Sequence, residues 1–140
     1  MRSIDKIIIH CSATQEGREI SAATIDKWHK KRGWRGIGYH YVIGLDGMIE
    51  YGRPITETGA HVKGHNKGSI GICYIGGVEA EKKNDKWIAK DTRTPQQIAT
   101  LLELLRVLKK LHPTATIHGH NEFAAKSCPC FDVQAEYCNL

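Results

Sequence analysis

The 140-residue sequence predicts a single α/β domain spanning 1–140, with a central mixed β-sheet flanked by helices. Three observations carry that expectation. Short apolar runs rich in β-branched residues recur at Lys6–Cys11, Ser69–Ile75 and Thr114–Gly119. Helical periodicities lie between them, the order that builds α/β sheets. A tight hairpin signal falls within the same stretch, so part of the sheet must be antiparallel.

Each element has a local cause. Lys6–Cys11 is a continuous apolar run that breaks into His-Cys-Ser-Ala-Thr, as a buried strand leaving the core for a loop does. From Ser21 to Lys31, Ile25, Trp28 and His29 fall at i, i+3 and i+4, and Ser21 is placed to cap the helix. Tyr39–Tyr51 reads as two alternating strands around Leu45-Asp46-Gly47-Met48, a two-residue turn signal. Ser69–Ile75 is a second buried strand closed by Gly76-Gly77, and residues 78–93 form a polar surface loop in which Trp87 stands out. Thr94-Pro95-Gln96-Gln97 opens a helix with threonine at the cap, proline at the first position and glutamine completing a capping box. Its apolar stripe is expected to run through Ile98, Leu101, Leu102, Leu105 and Leu108, and His112-Pro113 to end it. Thr114–Gly119 returns as a strand, and Asp132–Cys138 forms a last short helix.

Composition narrows the function classes. Hydrophobic residues at 41% and charged residues at 25% are ordinary for a globular domain, which excludes disordered and collagenous chains. The apolar runs fall far short of the roughly 20 residues a membrane span needs. The N-terminal residues contain no secretory h-region, so the chain is expected to be made in the cytoplasm without a leader. Lysines and arginines exceed acidic residues by 20 − 15 = 5, a balance that favours anionic partners. Five cysteines, an odd number without a leader, read as reduced thiols with one metal ligand among them rather than a disulfide framework.

His10 and His120 each sit just past an expected buried strand, where α/β domains build sites, and Cys128 follows eight residues after His120. Two imidazoles and a thiolate give zinc three ligands and leave its fourth tetrahedral position open. By spacing alone the same residues also read as a buried histidine, a loop histidine and an inert thiol. Other catalytic engines lack their signatures: there is no nucleophile elbow, no phosphate-binding loop and no dinucleotide fingerprint. Cys11 beside His10 is no dyad, because neighbours on a strand point to opposite faces. A Cys128–Cys130 disulfide would close a strained ring.

The ordered set Ile9-His10-Cys11-Ser12-Ala13-Thr14, Trp28-His29-Lys30, Gly33-Trp34, Gly38-Tyr39-His40-Tyr41, Asp46-Gly47, Gly52-Arg53, Gly59-Ala60-His61, Asn66, Ser69-Ile70-Gly71-Ile72, His120-Asn121-Glu122 and Lys126-Ser127-Cys128-Pro129-Cys130-Phe131-Asp132 carries more. Together these motifs resemble the zinc-dependent N-acetylmuramoyl-L-alanine amidases, the group of short phage lysozymes of amidase type and peptidoglycan recognition proteins. The resemblance runs from about Ile7 to Asp132 and implies that family's fold. It implies one zinc ion per chain on His10, His120 and Cys128, with His118 as a rival to His120. Tyr39 and Lys126 match the catalytic tyrosine and lysine, and His61 and Asn66 match a segment lining the substrate groove.

The implied reaction is hydrolysis of the lactyl amide between N-acetylmuramic acid and L-alanine in peptidoglycan. Zinc and Lys126 would stabilise the oxyanion, and Tyr39 would orient water or move a proton. The implied partners are peptidoglycan or muropeptides, with no nucleic acid, no membrane span and a monomeric chain that reaches the wall by an export or lysis route. Trp28 is expected in the core, Trp34 at the groove, Cys11 and Cys73 as small buried residues, and Cys130 buried near the metal. The rivals are a muropeptide binder lacking a zinc ligand, which the presence of Cys128 disfavours, and a basic nucleic-acid binder without the usual aromatic pattern. A zinc hydrolase acting on another amide is the third.

Overall fold

Alternation along two neighbouring strands decides which side of this protein carries chemistry. The computed structural model describes residues 2–140. Its main sheet contains β1 (Lys6–Cys11), β3 (Tyr41–Ile43), β4 (Ile49–Tyr51), β5 (Ser69–Tyr74) and β7 (Thr116–Gly119), in the order β4-β3-β5-β1-β7. The last four are parallel and β4 pairs antiparallel at one edge, so the sheet is mixed, as expected. β1 and β5 match residue for residue, from Lys6 opposite Ser69 to Cys11 opposite Tyr74.

In that register Ile7, Ile9 and Cys11 share a face with Ile70, Ile72 and Tyr74, and all six join the larger core. Leu101, Leu104, Leu105 and Leu108 of α2 (Pro95–Leu111) cover them. The intervening residues Ile8, His10, Ser69, Gly71 and Cys73 must face the other side. A smaller core there joins Ile25 of α1 (Ala22–Lys31) to Ile20, Ile37, Val42 and Ile75, with Trp28 packed against it. Ile7, Ile8 and Ile9 are fully buried. Burying each such side chain contributes about 1.5–3 kcal/mol, which makes β1 the rigid centre on which His10 is mounted.

The helix caps form where the sequence places them. Ser21 accepts a hydrogen bond from the Thr24 N–H, and Thr94 and Gln97 complete a reciprocal capping box. Gln97 is itself fully buried, and its Nε2 donates to the carbonyls of Ile43 and Ile75 at strand ends. That seat rotates the buried stripe of α2: Leu104 is buried where Ile98 was expected, and Ile98 is 42% exposed.

The hairpin also departs from expectation. Ile43 pairs with Ile49, the Gly44 N–H bonds to the Met48 carbonyl, and the Gly47 N–H closes a turn on Gly44. The loop is therefore three residues, with Gly47 at φ 84° supplying the left-handed position and Asp46 Oδ1 accepting from the Met48 N–H. Within the polar stretch, β6 (Gly77–Val78) pairs with β2 (Thr14–Gln15) in a small parallel sheet that was not expected, while Trp87 stays exposed. The chain ends in α3 (Val133–Tyr137), capped by Asp132. No helix among the described residues is long and apolar enough to cross a membrane.

Candidate metal centre and cleft

His10 lies near the end of β1, 1% exposed, and His120 opens a short 3-10 turn directly after β7. Because β1 and β7 are parallel neighbours, their ends converge. Cys128 arrives on the loop before α3, which is tied down by the Tyr74 O–H donating to the Pro129 carbonyl at 2.6 Å. The three side chains place one ligand atom each within 4.8 Å of one another. His10 Nδ1 is 3.2 Å from His120 Nδ1 and 3.9 Å from Cys128 Sγ.

Those spacings test the donor set against zinc. Tetrahedral zinc with ordinary N and S bond lengths separates two nitrogens by about 3.3 Å and a nitrogen from a sulfur by about 3.6 Å. The two edges to His10 lie within about 0.3 Å of these values, and with all three donors within 4.8 Å of one another the donor set suits the ion. His118, the rival ligand, is spent elsewhere: its Nδ1 meets Glu122 at 2.8 Å and its Nε2 meets Thr116 at 2.7 Å.

The surroundings favour neutral imidazoles. Burial, then the neighbouring His61, His120 and Lys126, hold His10 well below the usual histidine range. Burial and Lys126 lower His120 in the same direction. The Cys11 N–H donates to Cys128 Sγ at 3.2 Å, which fixes the sulfur beside the end of β1. The Cys11 thiol is pushed up to about 12, chiefly by its hydrogen bond with Cys128, so it stays protonated and faces the α2 core. Cys130 is half-buried, with its sulfur 3.9 Å from that of Cys11. Cys73 is fully buried.

Beside the three ligand candidates opens a cleft of about 700 Å³, lined among others by Trp34, Arg32, Lys63, Phe123 and Lys126. Lys126 is exposed there, yet near enough to depress both histidines. The Tyr39 ring lies 5.1 Å from that of His10, and burial raises its phenol. The structure thus brings His10, His120, Cys128, Tyr39 and Lys126 to one place. His61 and Asn66 border the cleft, but their polar atoms turn inward. His61 Nδ1 is 2.8 Å from His10 Nε2, and Asn66 Oδ1 accepts from the N–H groups of His61 and Val62.

Sequence reasoning did not assign Ser69 or Gly71 to the site. The signal was present in Ser69-Ile70-Gly71-Ile72-Cys73, where small and large residues alternate. The small ones face the histidines and leave room for their rings. A Cβ on Gly71 would meet the His61 ring at 2.7 Å.

The family model described as N-acetylmuramoyl-L-alanine amidase matches residues 1–131. The chain belongs to the N-acetylmuramoyl-L-alanine amidase family. An endolysin of Enterobacteria phage K11 is 39% identical over 129 residues, 92% of this chain and 82% of the relative. The amidase LysC of Clostridium intestinale superposes with a TM-score of 0.76 at 31% identity, covering 91% of this chain and 77% of LysC. One chain from the complex of two peptidoglycan recognition protein ectodomains with tracheal cytotoxin matches with a TM-score of 0.71 at 29% identity, covering 91% of this chain and 76% of that one. The chain is an N-acetylmuramoyl-L-alanine amidase acting on peptidoglycan, with the α/β fold of its family.

Proposed function

We propose that this amidase is zinc-dependent and that one chain holds one zinc ion through His10, His120 and Cys128. The observation that carries the reading is the convergence of these three side chains at zinc-like spacing beside the Lys126 cleft. When bound, the ion supplies Lewis acidity and makes water acidic enough to react near neutral pH. The cleft holds the muropeptide so that the lactyl carbonyl lies between the histidine pair and Lys126. The Lys126 ammonium stabilises the negative charge that develops on the carbonyl oxygen. Tyr39 orients the attacking water through its phenol O–H. Water oxygen bonds to the carbonyl carbon, the C–N bond breaks, and the departing L-alanine nitrogen takes up a proton from that water. The relatives' association with tracheal cytotoxin and phage lysis supports a peptidoglycan or muropeptide substrate.

The deciding experiment is zinc content of the purified protein together with release of new amino termini from peptidoglycan, before and after chelation. One zinc per chain, with release lost on chelation and restored by zinc, is the expected result. Undiminished release from protein stripped of metal would refute it.

A further inference from the structure

We propose that His61 is a positioning residue: a chain of hydrogen bonds running from the Asn66 carbonyl through Ser69 and His61 presents the Nδ1 lone pair of His10 to the metal. The proposal rests on the reading of His10 as a zinc ligand and adds what makes it one.

The direction of the chain follows from its far end. A backbone carbonyl only accepts, and although the Asn66 carbonyl also takes the Ser69 N–H at 3.2 Å, the 3.0 Å approach of Ser69 Oγ to it is attractive only with the hydroxyl proton between the two oxygens, so Ser69 donates there. Ser69 Oγ is also 3.1 Å from His61 Nε2, and with its proton committed it can only accept. His61 therefore carries its ring proton on Nε2 and offers the Nδ1 lone pair. That atom is 2.8 Å from His10 Nε2, so His10 in turn must carry its proton on Nε2. What remains on His10 is an unprotonated Nδ1, the atom that lies 3.2 Å from His120 Nδ1 and 3.9 Å from Cys128 Sγ. Any reversal along the chain sets two lone pairs or two N–H groups against each other.

The fold holds each link. Asn66 Oδ1 takes the His61 and Val62 N–H groups, which fixes the loop that carries the ring. Ser69 is fully buried on β5, opposite Lys6 at the start of the strand that carries His10. Gly71 leaves the space that the His61 ring occupies. Ligand histidines are commonly steered by such an outer partner, whose loss weakens metal binding about 10–100-fold. In this protein the partner is a neutral imidazole rather than a carboxylate.

The test is zinc affinity by chelator competition, combined with long-range ¹H–¹⁵N NMR of the metal-free protein to read histidine tautomers. In the wild type, His10 is expected with its proton on Nε2. His61→Ala should weaken zinc binding about 10–100-fold. His61→Asn keeps an acceptor near the Nδ1 position and should recover most of that loss. Ser69→Ala removes one buried oxygen with little change of volume, so it serves if the larger truncation fails to fold, and it should leave His10 as a mixture of tautomers. Wild-type zinc affinity in both His61→Ala and Ser69→Ala, or His10 protonated on Nδ1 in the wild-type spectrum, would overturn the proposal. A wild type that takes up no zinc would refute the metal reading instead, while the metal-free tautomer spectrum would still decide the chain.

Discussion

Arg93 offers a prediction whose size follows from the structure. Its side chain is 2% exposed, and its guanidinium lies 3.4 Å from the Phe131 ring centroid while hydrogen-bonding Asp91, Glu136 and the Tyr137 hydroxyl. Losing one member of a fully buried ion pair usually costs about 3–5 kcal/mol. That figure does not apply, because Asp91 and Glu136 are 37% and 41% exposed and re-solvate once the arginine is gone. The ion pairs then contribute about 0–1 kcal/mol. Stacking of a desolvated guanidinium on an aromatic ring adds about 1–2 kcal/mol, and the truncated stem adds packing loss.

Arg93→Ala is therefore expected to destabilise by about 2–3 kcal/mol, a fall in Tm of about 6–12 °C for a domain of this size. Arg93→Met keeps most of the stem over Phe131 but loses the ion pairs and the guanidinium stacking, so it should recover only the packing share and still lose about 1–2 kcal/mol. The assay is thermal unfolding of metal-free protein, since bound metal would raise the midpoint by mass action. A near-native midpoint in Arg93→Met would show that packing of the stem, not the charged contacts, governs the site and would refute the reasoning. Phe131 adjoins the Cys128–Cys130 loop, so Arg93→Ala should also weaken zinc binding, measured separately by chelator competition.

Lys126→Ala should retain one zinc per chain while lowering kcat about 100–1,000-fold, the scale of losing one oxyanion donor; turnover within threefold of wild type would remove the lysine from the mechanism. His29 and His40 are each pushed down to about 4 by burial, and their Nδ1 atoms accept the Gly38 and Gly71 N–H groups. Their folded-state values lie below the unfolded one, so the unfolded chain binds protons first. Stability should hold above about pH 6.5 and fall as the pH drops toward 4. Urea unfolding of the metal-free protein at several pH values checks this, and His29→Gln should flatten the slope. Gly47→Ala forces a side chain into a left-handed position at φ 84° with its Cβ 2.8 Å from the Gln96 carbonyl. A loss of at least about 1 kcal/mol is expected in equilibrium unfolding.

What could be read in advance was what depends on neighbours in the chain. The apolar run before His10 and the β-branched run before His120 are local, and each places its histidine at a strand end. The capping box of α2 is equally local. The seat of Gln97 is not, because its partners are the carbonyls of Ile43 and Ile75, and its burial turned the helix away from the expected stripe. The path of the Cys128 loop is set by Tyr74 and Arg93, distant in sequence, so spacing alone left the cysteine ambiguous and the resemblance was needed to choose it. For His61 the resemblance led to the groove, while the inward turn of its ring depends on room left by a glycine on β5.

The two faces of the sheet explain why these cases divide as they do. On the α2 face large side chains fill space, and a hydrophobic pattern reports them directly. On the opposite face β5 presents serine, glycine and cysteine, residues that contribute by leaving room, and a pattern of apolar burial is silent about space. That room is taken by imidazoles supplied from elsewhere. His61 in particular meets His10 without bringing a formal charge to it. A carboxylate in its place would add a negative charge beside Cys128 and would offset more of the charge of the proposed zinc ion. With a neutral partner in the proposed zinc site, Cys128 would supply the ligand set's one negative charge. In the proposed mechanism Lys126 would then add positive charge toward the carbonyl oxygen, and both features would act in the direction that amide hydrolysis requires.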